Sequence, residues 1–346
     1  MRMARAGEIP RTMRISVLTQ PGRLELQERP VPRPGPQEVL VAVGSVGICG
    51  SDAHYFEHGR IADFVVRGPL VLGHETSGRI VAVGEGVDSG RVGARVAIEP
   101  GTACMACAQC KAGRYNLCPS MSFFATPPVD GALAEFVVVR ADLAFDLPDR
   151  VSDDAGALLE PLSVAIWATG KAVITAGSSV LIAGAGPIGL TTAQMARARG
   201  ATTIVVTDVD PARLAVAALN GATATLDARD GGEIAPDFDA FLDCSGAPSA
   251  ITTGIRALRP AGRAVLVGMG PDEVTLPFGL LQLRELTIAG TFRYAGTWPT
   301  AISLAASGAV DLDGLITGRY GLAEADQAIT STIERSSIKS IVEPWR

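Results

Sequence analysis

Four of the chain's six cysteines fall in one short stretch, Cys104, Cys107, Cys110 and Cys118, at the spacing C-x2-C-x2-C-x7-C. Thiolates this close can converge on one tetrahedral zinc, because each short link lets the backbone fold around the ion. An iron–sulfur cluster also takes four thiolates, and disulfide pairing is a third reading. A structural zinc leads. Four thiolates close the coordination shell and leave no open position, so any chemistry lies elsewhere.

A glycine pattern offers a cofactor. Gly184-Ala-Gly186-Pro-Ile188-Gly189 follows the apolar run Ser179–Ala183 and opens a helical stretch, and Asp208 ends the next apolar run. In a strand–turn–helix unit the glycines let the backbone approach a pyrophosphate, which sits on the helix N-terminus. A carboxylate at the end of the second strand bonds the ribose hydroxyls and repels a 2′-phosphate. Val209, not an Arg, follows Asp208, which favours NAD over NADP. Arg213, one helical turn on, either meets the adenine and ribose edge or lies on a solvated helix face.

A third set is scattered. Cys49 lies in Gly47-Ile-Cys-Gly-Ser-Asp52, His74 and Glu75 in Gly73-His-Glu-Thr-Ser-Gly78, and Glu160-Pro161 is expected to close a helix. Thiolate, imidazole and carboxylate are the three ligand types of catalytic zinc. Only three histidines occur, His54, His58 and His74. The wide separation of these residues defeats any argument from spacing.

Positioning these groups takes two domains, the natural expectation for 346 residues of which 47% are hydrophobic. Up to about residue 150 the chain reads as short strands between Gly/Pro turns: Glu38–Val43, Gly78–Val83, Arg95–Ile98 and Ala134–Val139. That pattern predicts a barrel-like β unit. Ser152 is a helix N-cap candidate. From Ser178 strands and helices alternate: strands Ser179–Ala183, Thr203–Thr207, Phe238–Leu242 and Arg263–Val267, with helices Pro187–Arg199 and Pro211–Leu219. This alternation predicts a doubly wound parallel sheet. A further helix is expected over Pro299–Ser307. Cys244, in Leu242-Asp-Cys-Ser-Gly246, reads as a buried structural thiol.

Composition excludes other classes. The net charge is −6, the sequence pI is about 5.2 and aromatics make up 5%. Nothing attracts a phosphate backbone or offers bases a stacking platform, so a zinc-dependent nucleic-acid binder is disfavoured. No apolar run is long enough to span a membrane. No secretory signal is visible; Arg2, Arg5, Arg11 and Arg14 have no apolar run behind them, and a disordered tail is expected there. Clustered thiols in such a chain suit a reducing, cytoplasmic setting.

The scattered segments resemble the zinc-dependent medium-chain alcohol dehydrogenase superfamily, and within it the sorbitol (polyol) dehydrogenase family. The matching stretches are Gly47-Ile-Cys-Gly-Ser-Asp-Ala-His-Tyr55, Glu57–Phe64, Val71-Leu-Gly-His-Glu75, Ala125-Thr-Pro-Pro128, Leu159-Glu-Pro-Leu-Ser163, Gly184–Gly189, Phe292-Arg-Tyr294 and Thr297-Trp-Pro299. They run from about residue 14 to the end. The resemblance implies an α/β fold: a GroES-like β-rich catalytic domain over 14–160, rejoined by 293–346, and a Rossmann NAD-binding domain over 161–292, with the active site in the cleft between them. It implies a catalytic zinc on Cys49, His74 and Glu75, with Glu160 either holding the zinc-bound water or exchanging with it as ligand; which carboxylate binds directly stays open. Ser51 and His54 would carry the proton, and Asp52 would orient a ligand. Tyr55, Phe123, Thr126, Glu160, Arg293 and Tyr294 would form the substrate pocket. Gly184, Gly186, Ile188, Gly189, Asp208, Arg213, Val267, Gly268, Met269, Thr291, Phe292 and Arg293 would hold NAD. The implied activity transfers hydride from a secondary alcohol of a sorbitol- or xylitol-like polyol to NAD, giving a ketose, in a dimer or tetramer.

Rival readings within the superfamily are threonine, butanediol and idonate dehydrogenases. A nucleotide-binding redox sensor without catalysis would need an incomplete metal set, and Cys49, His74 and Glu160 are all present. One departure is Trp167, where polyol dehydrogenases often carry a His.

Overall fold

A computed structural model of the chain describes residues 9–230, 234–235, 237–335 and 337–346. It forms two compact units. One comprises the chain up to Glu160 together with Trp298–Ala306 and Leu312–Arg346; the other comprises Pro161–Thr297 and Ser307–Asp311.

The first unit is built on the strand Glu38–Gly47, whose Val39, Val41, Val43 and Val46 are wholly buried. A run so rich in β-branched residues packs well in a pleated surface covered on both sides. Its antiparallel neighbours are Glu75–Val83, Phe136–Arg140 and, at its far end, Lys339–Glu343. Arg95–Ile98, Ala144–Asp146 and Ile316–Gly321 complete this sheet. A smaller sheet of Thr12–Gln20, Arg23–Pro30 and Leu70–Val71 adds Ile15, Val17 and Leu18 to the core. Each such side chain contributes ~1.5–3 kcal/mol by leaving water. Trp345 anchors the C-terminus, packing edge-on against Phe136 at 5.4 Å and donating from Nε1 to Val43 O at 2.7 Å. The short strands, such as Leu70–Val71, have no pattern of their own in the sequence.

The second unit is a six-stranded, wholly parallel sheet. Its order across the sheet is Ala224–Asp227, Thr203–Asp208, Ser179–Ala183, Phe238–Asp243, Leu258–Leu266 and Thr287–Gly290. In sequence order that is 3-2-1-4-5-6, the dinucleotide-binding arrangement. The helices Pro187–Ala198 and Pro211–Leu219 each begin with Pro in the first turn, where no N–H is missed.

Two local expectations are corrected. Glu160-Pro161 does not close a helix: after the short helix Asp153–Ala157, capped by Ser152 Oγ, both residues lie in the first turn of Leu159–Lys171. Proline is tolerated there because the first-turn amides have no intrahelical acceptor. Cys244 is only partly buried and lies one residue past its strand; its thiol, 3.7 Å from Thr192 Oγ1, is pushed up to about 12 by desolvation. It is therefore inert at neutral pH.

Candidate active site

Cys49, His74 and Glu75 come together in the first unit. One ligand atom from each lies within 4.8 Å of the other two. Ligands on one tetrahedral zinc stand about 3.3–3.8 Å apart, so small side-chain adjustments would let the three share an ion. The local sequence explains the convergence. The central strand ends at Gly47, Cys49 caps the helix Gly50–His58, and Glu75 begins the strand paired in register with Gly47.

Asp52 ties the two turns together. It is fully buried, and its carboxylate accepts from Cys49 N and from Gly73 N, both at 2.9 Å, while Oδ1 lies 3.7 Å from His74 Nδ1. Burial pushes this carboxyl up, but His74 and the two backbone donors outweigh it and hold it below the ordinary range. The orienting role expected for Asp52 thus has a physical basis. His74 shows the counterpart: burial pushes it down, yet Asp52 and Cys49 hold it well above its usual value. The corner is built to accommodate positive charge, as a proton or a metal ion.

The carboxylate of Glu75 divides its two oxygens. Oε1 accepts from Lys339 Nζ at 2.6 Å, and Oε2 is buried with no hydrogen-bond partner among the described residues. A buried, orphaned carboxylate oxygen costs ~1–3 kcal/mol or more unless something pairs with it. A cation coordinated there supplies that partner, so the donor set fits zinc. Glu160 is also buried but stands outside this group; its charge still reaches Lys339 and Glu99. Sequence reading missed both Lys339 and Glu99. Glu99 accepts from Tyr115 Oη at 2.7 Å, and burial raises its carboxyl to about 7.

The four clustered cysteines form a second group whose sulfurs also lie within 4.8 Å of one another. Cys107 and Cys110 stand 3.5 Å apart and Cys104 and Cys110 4.0 Å, far beyond a disulfide's ~2.05 Å. About 3.8 Å is the separation expected of thiolates on one zinc, and a multi-iron cluster would need them wider. Backbone amides of Ala106 and Cys107 draw the Cys104 thiol down to about 6, while burial and the neighbouring thiols push Cys110 up to about 12; a metal would bind all four as thiolates.

Family comparison settles the setting. Residues 35–149 match the alcohol dehydrogenase GroES-like domain and residues 187–307 the zinc-binding dehydrogenase domain. Sorbitol dehydrogenase of Gallus gallus is 44% identical over 337 residues, covering 94% of this chain and 95% of that protein. The Homo sapiens enzyme of the same name is 45% identical over 322 residues, covering 90% of each. The chain belongs to the sorbitol dehydrogenase family of zinc-dependent medium-chain alcohol dehydrogenases. Among solved structures, L-idonate 5-dehydrogenase from Escherichia coli superposes with a TM-score of 0.88 at 28% identity, covering 96% of this chain and 98% of that one.

The cofactors are zinc and NAD, and the second unit fits the dinucleotide. Gly184, Asp208, Val267 and Thr291 all lie at the carboxyl ends of parallel strands, where such sheets take ligands. Asp208 Oδ2 accepts from Ala185 N at 2.7 Å and Oδ1 from Asp210 N at 3.0 Å, which fixes the glycine loop against the carboxylate. A Cβ on Gly189 would sit 1.8 Å from Gly184 O. Gly186 faces Arg213, whose Nη1 would lie 3.5 Å from an added Cβ. Ile188 is partly buried in the first helical turn, and Val267 N and Gly268 N both donate to Asp243 O. Thr291 Oγ1 is buried and unpartnered among the described residues, whereas Met269 is exposed.

The remaining predicted residues divide between the units. Ser51 is partly buried and His54 exposed, its ring edge-on to His58 at 4.9 Å. Tyr55 and Phe123 are buried, with the Phe123 ring 5.8 Å from that of His74; Thr126 is partly buried. Arg293 and Tyr294 belong to the nucleotide-binding unit. Arg293 has a left-handed backbone (φ 52°), and its guanidinium lies 4.8 Å over the Phe292 ring. Trp167 Nε1 is buried without a partner among the described residues.

Proposed function

We propose that the protein oxidises a secondary alcohol of a sugar alcohol to the ketose, with NAD as acceptor. The observation carrying this reading is the Cys49–His74–Glu75 corner, its His74 and Glu75 buried and its Cys49 partly so, with an orphaned carboxylate oxygen, in a chain 44–45% identical to sorbitol dehydrogenases. When bound, zinc lowers the pKa of an alcohol beside it, and NAD accepts the hydride.

Cys49, His74 and Glu75 would hold the catalytic zinc, with Glu160 set back as a buried anion able to orient water or substrate. Ser51 and His54 lie three residues apart on one helix and therefore share a face. The partly buried hydroxyl would take the substrate proton and the exposed imidazole would release it to solvent. Tyr55, Arg293 and Tyr294 would recognise the outer hydroxyls, with Phe123 and Thr126 lining the pocket. Asp208 favours NAD by repelling a 2′-phosphate. Cys104, Cys107, Cys110 and Cys118 would staple their loop with a structural zinc.

No helix among the described residues is long and apolar enough to cross a membrane. A cytoplasmic setting is supported by six free cysteines. A homo-oligomer is supported by exposed Phe278 and Leu283, beside the edge strand Thr287–Gly290.

The test is a panel of C4–C6 polyols with NAD and NADP on zinc-loaded protein. Ketose and NADH should form from at least one polyol, with NADP far weaker. Turnover of threonine, 2,3-butanediol or idonate but of no polyol would move the chain to another branch. Arg293→Ala should raise the polyol KM ~10–100-fold, the worth of a charged hydrogen bond, without changing zinc content. Unchanged polyol kinetics would remove Arg293 from the pocket.

A further inference from the structure

Lys339 is only 2% exposed, comes from the last strand, and lies 264 positions from the residue it grips. Its ammonium donates to Glu75 Oε1 at 2.6 Å and to Ile48 O at 2.8 Å, the carbonyl just before Cys49. One cation thus holds both turns that carry metal ligands. The acidic groups whose charges reach it are Glu75, Cys49 and Glu160.

Sheet register builds this contact. Lys339–Glu343 flanks the central strand on one side, pairing Ile341 with Gly47, while Glu75 pairs with Gly47 from the other side. Lys339 reaches Glu75 across that strand's end. Gly47 leaves the room: a Cβ there would lie 2.1 Å from Glu75 Oε2. Burying an ammonium costs several kcal/mol unless it is paired, so a Lys here needs a reason beyond packing.

We propose that Lys339 is a positioning residue for the reaction, which holds Glu75 by Oε1 so that only Oε2 is presented to the metal. The grip fixes the carboxylate as a one-oxygen ligand and holds that oxygen in place. The proposal rests on the reading of Glu75 as a zinc ligand.

The test follows zinc release to a chelator from the holoenzyme, with the four-thiolate zinc as internal reference, together with the visible spectrum of cobalt-loaded protein. Lys339→Met should speed release of the catalytic metal ~10–100-fold, as for other residues that orient a ligand, and alter the cobalt spectrum. Lys339→Arg, which keeps the charge and a donor, should restore most of both. Glu75→Gln should also speed release, and adding Lys339→Met to it should change little more. Wild-type release from Glu75→Gln would overturn the ligand reading and the proposal with it. Fast release from Glu75→Gln but wild-type release from Lys339→Met, or equal effects of Lys339→Met in both backgrounds, would overturn the proposal alone.

Discussion

Cys49→Ser is expected to abolish dehydrogenation while leaving the protein folded. Cys49 is one of the three residues that would hold the metal, and a serine hydroxyl stays protonated where a thiolate would bind. With the metal gone, nothing lowers the pKa of the alcohol from ~16 towards ~7, each unit being tenfold in the reactive form. The fall in kcat/KM should be ~10³-fold or more. The fold should survive because Asp52 keeps its bonds to both backbone amides and the four-cysteine group lies on a separate loop. NADH formation and circular dichroism read the two halves of this expectation. Activity within tenfold of the wild type would contradict it.

Gly189→Ala should be the most damaging single methyl in the nucleotide-binding unit. The added Cβ would lie 1.8 Å from Gly184 O and 2.9 Å from Gly184 C. Both atoms are backbone, so no rotamer relieves the clash, and the helix Pro187–Ala198 must shift from the loop. The first-turn amides that would bond the pyrophosphate move with it. NAD affinity should fall ~100-fold or more, with a stability loss of ~1–3 kcal/mol for overpacking, while zinc content stays at the wild-type level. An NADH fluorescence titration checks this; binding within threefold of wild type would contradict it.

The two metal groups were unequally legible. The cysteine cluster announces itself because short loops set ligand spacing directly. Cys49, His74 and Glu75 are joined by strand pairing and by Asp52, and sheet register leaves no spacing signature in sequence; family resemblance reached them instead. Lys339 had neither signal. A lone lysine in a five-residue strand reads as an edge residue until three strands are laid side by side. Glu160-Pro161 misled for a related reason, since proline punctuates a helix at either end and only the following apolar run decides which. Four strands of the parallel sheet were plain because each holds an apolar run bounded by helix signals, whereas the partly exposed edge strands Ala224–Asp227 and Thr287–Gly290 carry no such run.

The central claim is that two metal groups of different kinds coexist in one chain, one closed and one able to work. Elemental analysis of the purified holoprotein tests it most directly. Two zincs per chain are predicted, falling to one in Cys49→Ser. One zinc per wild-type chain, unchanged by that substitution, would leave only the structural staple and contradict the account.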